Sequence, residues 1–75
     1  MQNEDVKQLE RVSAKQAAKE LNIDIETLHY QMQKERLPIG YAIKRDKAKR
    51  HSYVIYRGLL DAYKQTIARQ TAEHL

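Results

Sequence analysis

Seventy-five residues are enough for one domain with a modest core and too few for two, or for a core that also encloses a deep substrate cavity. The chain has no cysteine, so neither a disulfide framework nor a thiolate zinc site can supplement packing. No apolar run approaches the roughly 18 residues that a membrane helix needs, and the opening stretch MQNEDVKQLE is polar and acidic, unlike a secretory leader; a soluble protein of the cytoplasm is expected. The charge is segregated. Lys44, Arg45, Lys47, Lys49 and Arg50, opposed only by Asp46, account for the whole net charge of +4, and nine basic and nine acidic side chains balance over the rest. A basic cluster on a neutral body is the usual footprint of a phosphate-backbone contact. It is also the composition of a loop that merely keeps a protein in solution, and the cluster alone does not choose between them.

In chain order, Val6 and Leu9 suggest only a weak helical turn, so residues 1–10 are expected to be flexible or weakly helical. The first firm element begins at Ser13. With Gln16 three residues on, it fits a capping box, each side chain bonding the other's backbone N–H. Ala17, Ala18 and Leu21 then form one stripe of a short helix, roughly Ala14 to Leu21. Asn22 tolerates the left-handed conformation that ends a helix, Ile23 is an apolar residue inside the turn, and Asp24 is a good N-cap. A second helix follows from about Ile25 to Lys34, with Ile25, Leu28 and Met32 on its inner face and Glu26, His29, Tyr30 and Gln33 outside. Pro38 disfavours a helical Leu37 and closes this element.

From Ile39 the periodicity changes. Ile39–Ile43 and Ser52–Tyr56 are short β-prone runs on either side of the basic segment, which reads as a hairpin with a charged loop. After Gly58, the spacing of Leu59, Leu60, Tyr63 and Ile67 predicts a closing helix to about Ala68, with Arg57 at its start either a further phosphate contact or simply surface. Residues 69–75 form a C-terminal extension, in which Ala72 and Leu75 either prolong the stripe toward a second copy, pack on the chain's own core, or fray. Among the tyrosines, Tyr41, Tyr53, Tyr56 and Tyr63 suggest stacking on single-stranded nucleic acid, but in a chain without Phe or Trp at least two must fill the core beside Ile43, Ile55 and Leu60. The pattern is α+β and mainly helical, with residues 11–68 as the domain.

The string Val12-Ser13-Ala14-Lys15-Gln16-Ala17-Ala18-Lys19-Glu20-Leu21-Asn22-Ile23-Asp24-Ile25-Glu26-Thr27-Leu28, continued by Leu37-Pro38 and by Ser52 to Leu60, resembles the excisionase-like and MerR-like DNA-binding domains of phages and mobile elements. The resemblance covers about residues 12–64. It implies a winged helix-turn-helix: helix-turn-helix, β-hairpin wing, closing C-terminal helix. The chain departs from that pattern at Asn22 and near Glu35, where glycine is usual, and at His29, often an arginine.

In that fold the second helix lies in the major groove with its N-terminal residues nearest the base edges. The resemblance therefore makes Glu26, Thr27, His29, Tyr30 and Gln33 the candidate base-contact set. Gln33 can pair bidentately with adenine and Glu26 can accept from cytosine N4, while Thr27 and Tyr30 suit phosphate or thymine-methyl contacts. Each has a plainer role: Glu26 as a first-turn charge on the helix dipole, His29 as an exposed polar group, Tyr30 as a ring resting on the wing. Lys15, Lys44, Arg45, Lys47, Lys49 and Arg50 are the candidate phosphate contacts, Lys15 also fitting a solvated lysine. The implied partner is double-stranded DNA, joined by an integrase or a second copy of the chain, in a bacterial or phage-infected cell; no membrane and no small-molecule effector are expected. His29, His51 and His74 have no metal-ligand spacing, and no catalytic constellation, metal site or cofactor motif is present, so no enzyme activity is expected. The competing reading is a protein-interaction module, such as an antirepressor or a packaging subunit, that reuses the fold without reading bases.

Overall fold

The structure, a computed structural model, describes residues 7–44 and 49–74, side chains only as far as residue 71. The expectations for residues 1–6, for Arg45 and Lys47, and for the side chains of Ala72 and Leu75 lie outside the described residues. The described elements are three helices and a two-stranded antiparallel hairpin, in the order α1 (Ala14–Leu21), α2 (Ile25–Gln33), β1 (Gly40–Ile43), β2 (Ser52–Ile55) and α3 (Arg57–His74). The chain is a small, mainly helical α+β domain.

Helix α1 starts where Ser13 accepts the Gln16 N–H at 3.0 Å. The reciprocal half of the expected capping box is not formed, because the Gln16 amide donates instead to Glu20, one turn further on, at 2.8 Å. Asn22 ends the helix in the left-handed conformation (φ 62°). Only Asn22, Ile23 and Asp24 separate α1 from α2, a three-residue turn. Asp24 caps α2 by accepting the Thr27 N–H at 3.1 Å. At the other end of α2 the N–H of Arg36 bonds the Gln31 carbonyl and that of Glu35 bonds Met32, a Schellman closure that places Glu35 at φ 57°. Glutamate thus occupies a position where glycine carries no steric penalty.

The core forms where these elements meet. Leu28, Ile39, Ile55 and Leu60 are fully buried, with Ala17, Ala18, Met32, Val12 and Leu37 around them. Ile43 is only half-buried and stands outside this cluster, contrary to the sequence pattern, and Tyr41 is half exposed. Tyr53 and Tyr63 are the tyrosines that pack against the core. In the hairpin, Gly40 faces Ile55 and Ala42 faces Tyr53. A Cβ at Gly40 would run into the Val54 carbonyl of the neighbouring strand, so the close pairing that buries Ile55 requires glycine.

In the segment before α1, Lys7 and Gln8 are helical, as one of the two expectations for the N-terminus had it, and the residues that follow are tied to the rest of the domain. Arg11 bridges Tyr56, the Val12 N–H bonds the Ile55 carbonyl at 2.8 Å, and the Glu10 carbonyl accepts the Arg57 N–H at 2.8 Å, capping α3. Gly58 lets Gln8 approach closely, since a Cβ there would sit 2.8 Å from that of Gln8. At the other end, α3 runs to His74 rather than stopping near Ala68. Ala68, Arg69, Gln70 and Glu73 are good helix formers; the apolar period ends at Ile67 because there is no core beyond it, and residues 65–71 are exposed.

Helices α1 and α3 are joined by ions. Arg57 contacts Glu20 at 2.8 Å and Asp61 at 3.1 Å, and Lys64 contacts Glu20 at 2.9 Å. Hydrogen bonds from Arg57, Gln16 and Lys64 hold the Glu20 carboxyl far below the usual carboxylate range, and Glu20 with Asp61 raises the Arg57 guanidinium above its ordinary value. Arg57 is therefore a structural residue.

Two measurements check these assignments. Glu35→Gly relieves a left-handed residue and is expected to stabilise the domain by about 0.5–1 kcal/mol in urea denaturation, whereas Gly40→Ala costs at least about 3 kcal/mol. Because the folded Glu20 carboxyl titrates far below its ordinary 4.5, its contribution is fully present above that pH and is lost as pH falls from there through the lowered folded value. Glu20→Gln should cost about 1 kcal/mol near pH 7, and the gap to the unmodified protein should close progressively in acid.

Candidate nucleic-acid interface

The five candidate side chains on α2 are not equivalent. Helical geometry separates them, since successive residues turn by about 100°. Thr27 faces away from the hairpin: it lines a groove with Leu21, Ile23, Leu37, Tyr63 and Ile67, and its hydroxyl donates to Asp24 at 2.6 Å. That bond, followed by the Thr27 backbone N–H, lowers the Asp24 carboxyl below its ordinary value. Thr27 thus completes the cap that starts α2.

His29 and Gln33 face the hairpin. The His29 ring lies on Tyr53 with centroids 4.2 Å apart and planes within 2°. The Gln33 amide donates to the Tyr53 hydroxyl at 2.7 Å, which fixes the amide while leaving its carbonyl and second N–H open to another partner. The ring that rests on the hairpin is accordingly His29 and not Tyr30. Tyr30 is half exposed, with the Lys34 ammonium 5.6 Å from its ring centroid. Glu26 is exposed in the first turn of α2. The outward strip of α2 is therefore Glu26, Tyr30 and Lys34, flanked on the hairpin side by Gln33.

The described ends of the basic loop meet α2 at its hairpin-side edge, at Gln33. Lys44 and His51, at the ends of opposite strands, line a cleft of about 300 Å³ with Gln33, Glu35 and Tyr41. His51 also stands 6.3 Å from the Tyr53 ring. Lys44, Lys49 and Arg50 are exposed. Lys15 is exposed on α1, and no described hydrogen bond or ion pair joins it to the strip.

Two residues of this surface escape sequence reasoning. Lys34 reads only as the end of a helix, though its spacing from Tyr30 is the i, i+4 pairing that brings a cation over a ring. Tyr53 reads as one of several core tyrosines; the alternation of β2 gives the face on which it lies, and nothing local identifies its partners twenty or more residues earlier.

No family model, no curated protein and no solved structure matches this chain. No helix among the described residues is long and apolar enough to cross a membrane.

The division of labour on α2 has a direct consequence for stability. His29→Ala should cost about 1 kcal/mol through loss of the stack, while Tyr30→Ala changes stability by less than about 0.5 kcal/mol. Thermal denaturation of the two variants side by side makes the comparison.

Proposed function

We propose that this chain is a sequence-preferring duplex DNA-binding protein built as a winged helix-turn-helix, of the excisionase or phage-regulator type. Helix α2 enters the major groove and the hairpin loop contacts the backbone or minor groove. The observation that carries this reading is that Gln33, at the edge of the outward strip of α2, lines one cleft with Lys44 and His51 at the base of a loop that holds the chain's whole net charge. A three-residue turn between α1 and α2, and α2 exposed along one side, are the arrangement in which a helix can lie in a groove of about 12 Å while its partner helix stays on the backbone.

In this reading the side chains divide by chemistry. Gln33 offers its free carbonyl and N–H to adenine, and Glu26 accepts from cytosine. The Tyr30 ring, with Lys34 beside it, meets a thymine methyl or a phosphate. Lys44, Arg45, Lys47, Lys49 and Arg50 supply affinity through phosphate neutralisation, and Lys15 adds to it from α1. His29 and Thr27 shape the surface. An integrase or a second copy of the chain is the further partner, because a domain of this size covers a short site and gains affinity from cooperative binding.

A second reading has its own observation. The groove of Leu21, Ile23, Leu37, Tyr63 and Ile67, on the side of α2 away from the hairpin, is apolar and open, which suits a protein-interaction module.

The two readings differ in salt dependence. Binding to a random duplex, followed by fluorescence anisotropy, should weaken linearly in log–log form as salt rises. Replacing Lys44, Lys49 and Arg50 by Ala should reduce that slope by roughly 0.9 for each phosphate no longer neutralised, up to about 2.7. An unchanged slope in the triple variant removes the basic loop from the interface, and absence of binding at low salt favours the interaction module.

A further inference from the structure

Tyr53 occupies an unusual position in this fold. It lies on β2, three residues after Arg50, opposite Ala42 in the register. The small side chain across from it leaves the α2-facing side of the hairpin open to one large ring. That ring is held twice from the same helix: by the parallel stack on His29 at 4.2 Å and by the Gln33 amide on its hydroxyl at 2.7 Å. A stack restrains the distance between two surfaces but permits sliding in the ring plane. A hydrogen bond at the ring's tip removes that freedom.

Two-stranded hairpins are only marginally stable by themselves and twist readily. Here the hairpin's core side is fixed by Ile55, while its loop end extends from Ile43 and Ser52 beyond the buried cluster. Ala42 packs against the buried cluster at the same level, and Tyr53 adds to that packing two directional contacts with α2, three residues from Arg50.

We propose that Tyr53 is a positioning residue: its joint stack and hydrogen bond to His29 and Gln33 set Lys44, Lys49 and Arg50 in register with the outer face of α2, so that both engage one duplex. The same bond pre-orients the Gln33 amide. This inference rests on the DNA-binding reading and adds to it that affinity depends on a fixed angle between helix and hairpin, which a count of cations does not capture. Preorganisation of this kind raises affinity by removing an ordering cost at binding.

A double-mutant cycle on duplex binding tests it. Tyr53→Phe keeps the ring and its stack and deletes the hydroxyl. In the otherwise unmodified chain it should weaken binding about five-fold, the equivalent of one hydrogen bond's ordering. In the background where Lys44, Lys49 and Arg50 are already Ala, the same change should weaken binding less than about two-fold, because the loop it positions no longer contributes. Should Tyr53→Phe lower the melting temperature by more than about 5 °C, binding is measured well below the melting point of every variant and His29→Ala, which deletes the stack from the helix side, replaces it in the cycle with the same expectation. Equal losses in both backgrounds, or no loss in either, overturn the positioning role and leave DNA binding standing. Failure of the unmodified chain to bind duplex DNA at low salt overturns both.

Discussion

The contact between Tyr53 and the pair His29 and Gln33 is the constraint on which the candidate surface depends. The helices could be arranged by the core alone: Leu28, Met32, Leu60 and the two alanines of α1 fix α1, α2 and α3 together. The hairpin is different. Its inner end is tied by Ile55 and by the chain segment at Arg11 and Val12, and toward its outer end Ala42 packs on the core while Tyr53 adds a stack and a hydrogen bond to α2. Hydrophobic burial is non-directional, so it can hold these elements together without setting the angle between them. The stack and its terminal hydrogen bond supply the direction.

A second, separate constraint lies on the other side of the molecule. Glu20, Arg57, Asp61 and Lys64 connect α1 to α3 at a partly exposed site. Such clusters contribute modestly to stability, and this one links residues 37 and 44 positions apart. It also keeps Arg57 out of the positive patch. Among the residues of the candidate surface the positive charges are Lys34, Lys44, Lys49 and Arg50, with Glu26 and Glu35 opposing them.

Much of the fold is legible in the chain because helix ends are written in local chemistry. Ser13, Asn22 and Asp24 each perform the capping role their side chains suggest, and the change of period at Ile39 marks the hairpin. Even Glu35, which lacks the usual glycine, closes α2 as a left-handed residue. What escapes is non-local or has no period to show it. Glu20 and Arg57 are 37 residues apart, and the Arg11–Tyr56 bridge is a single pair with no alternation around it. The last turns of α3 have helix propensity but no stripe, so periodicity stops at Ile67. On α2, periodicity separates the inner from the outer face and cannot divide the outer face further. His29 and Gln33 turn toward the hairpin and Thr27 toward the opposite groove, a difference that emerges only once β2 is in place.

The central claim is that α2 and the hairpin form one surface for duplex DNA. Amide chemical-shift mapping by NMR, with a short duplex titrated into the isotopically labelled chain, addresses it residue by residue. The expected result is a continuous band of perturbed amides across Glu26 to Lys34, Lys44 and Lys49 to Tyr53, with the exposed turns of α3 after Ile67 unaffected. Perturbations confined to the groove of Leu21, Ile23 and Ile67, or confined to the loop with α2 silent, would contradict it.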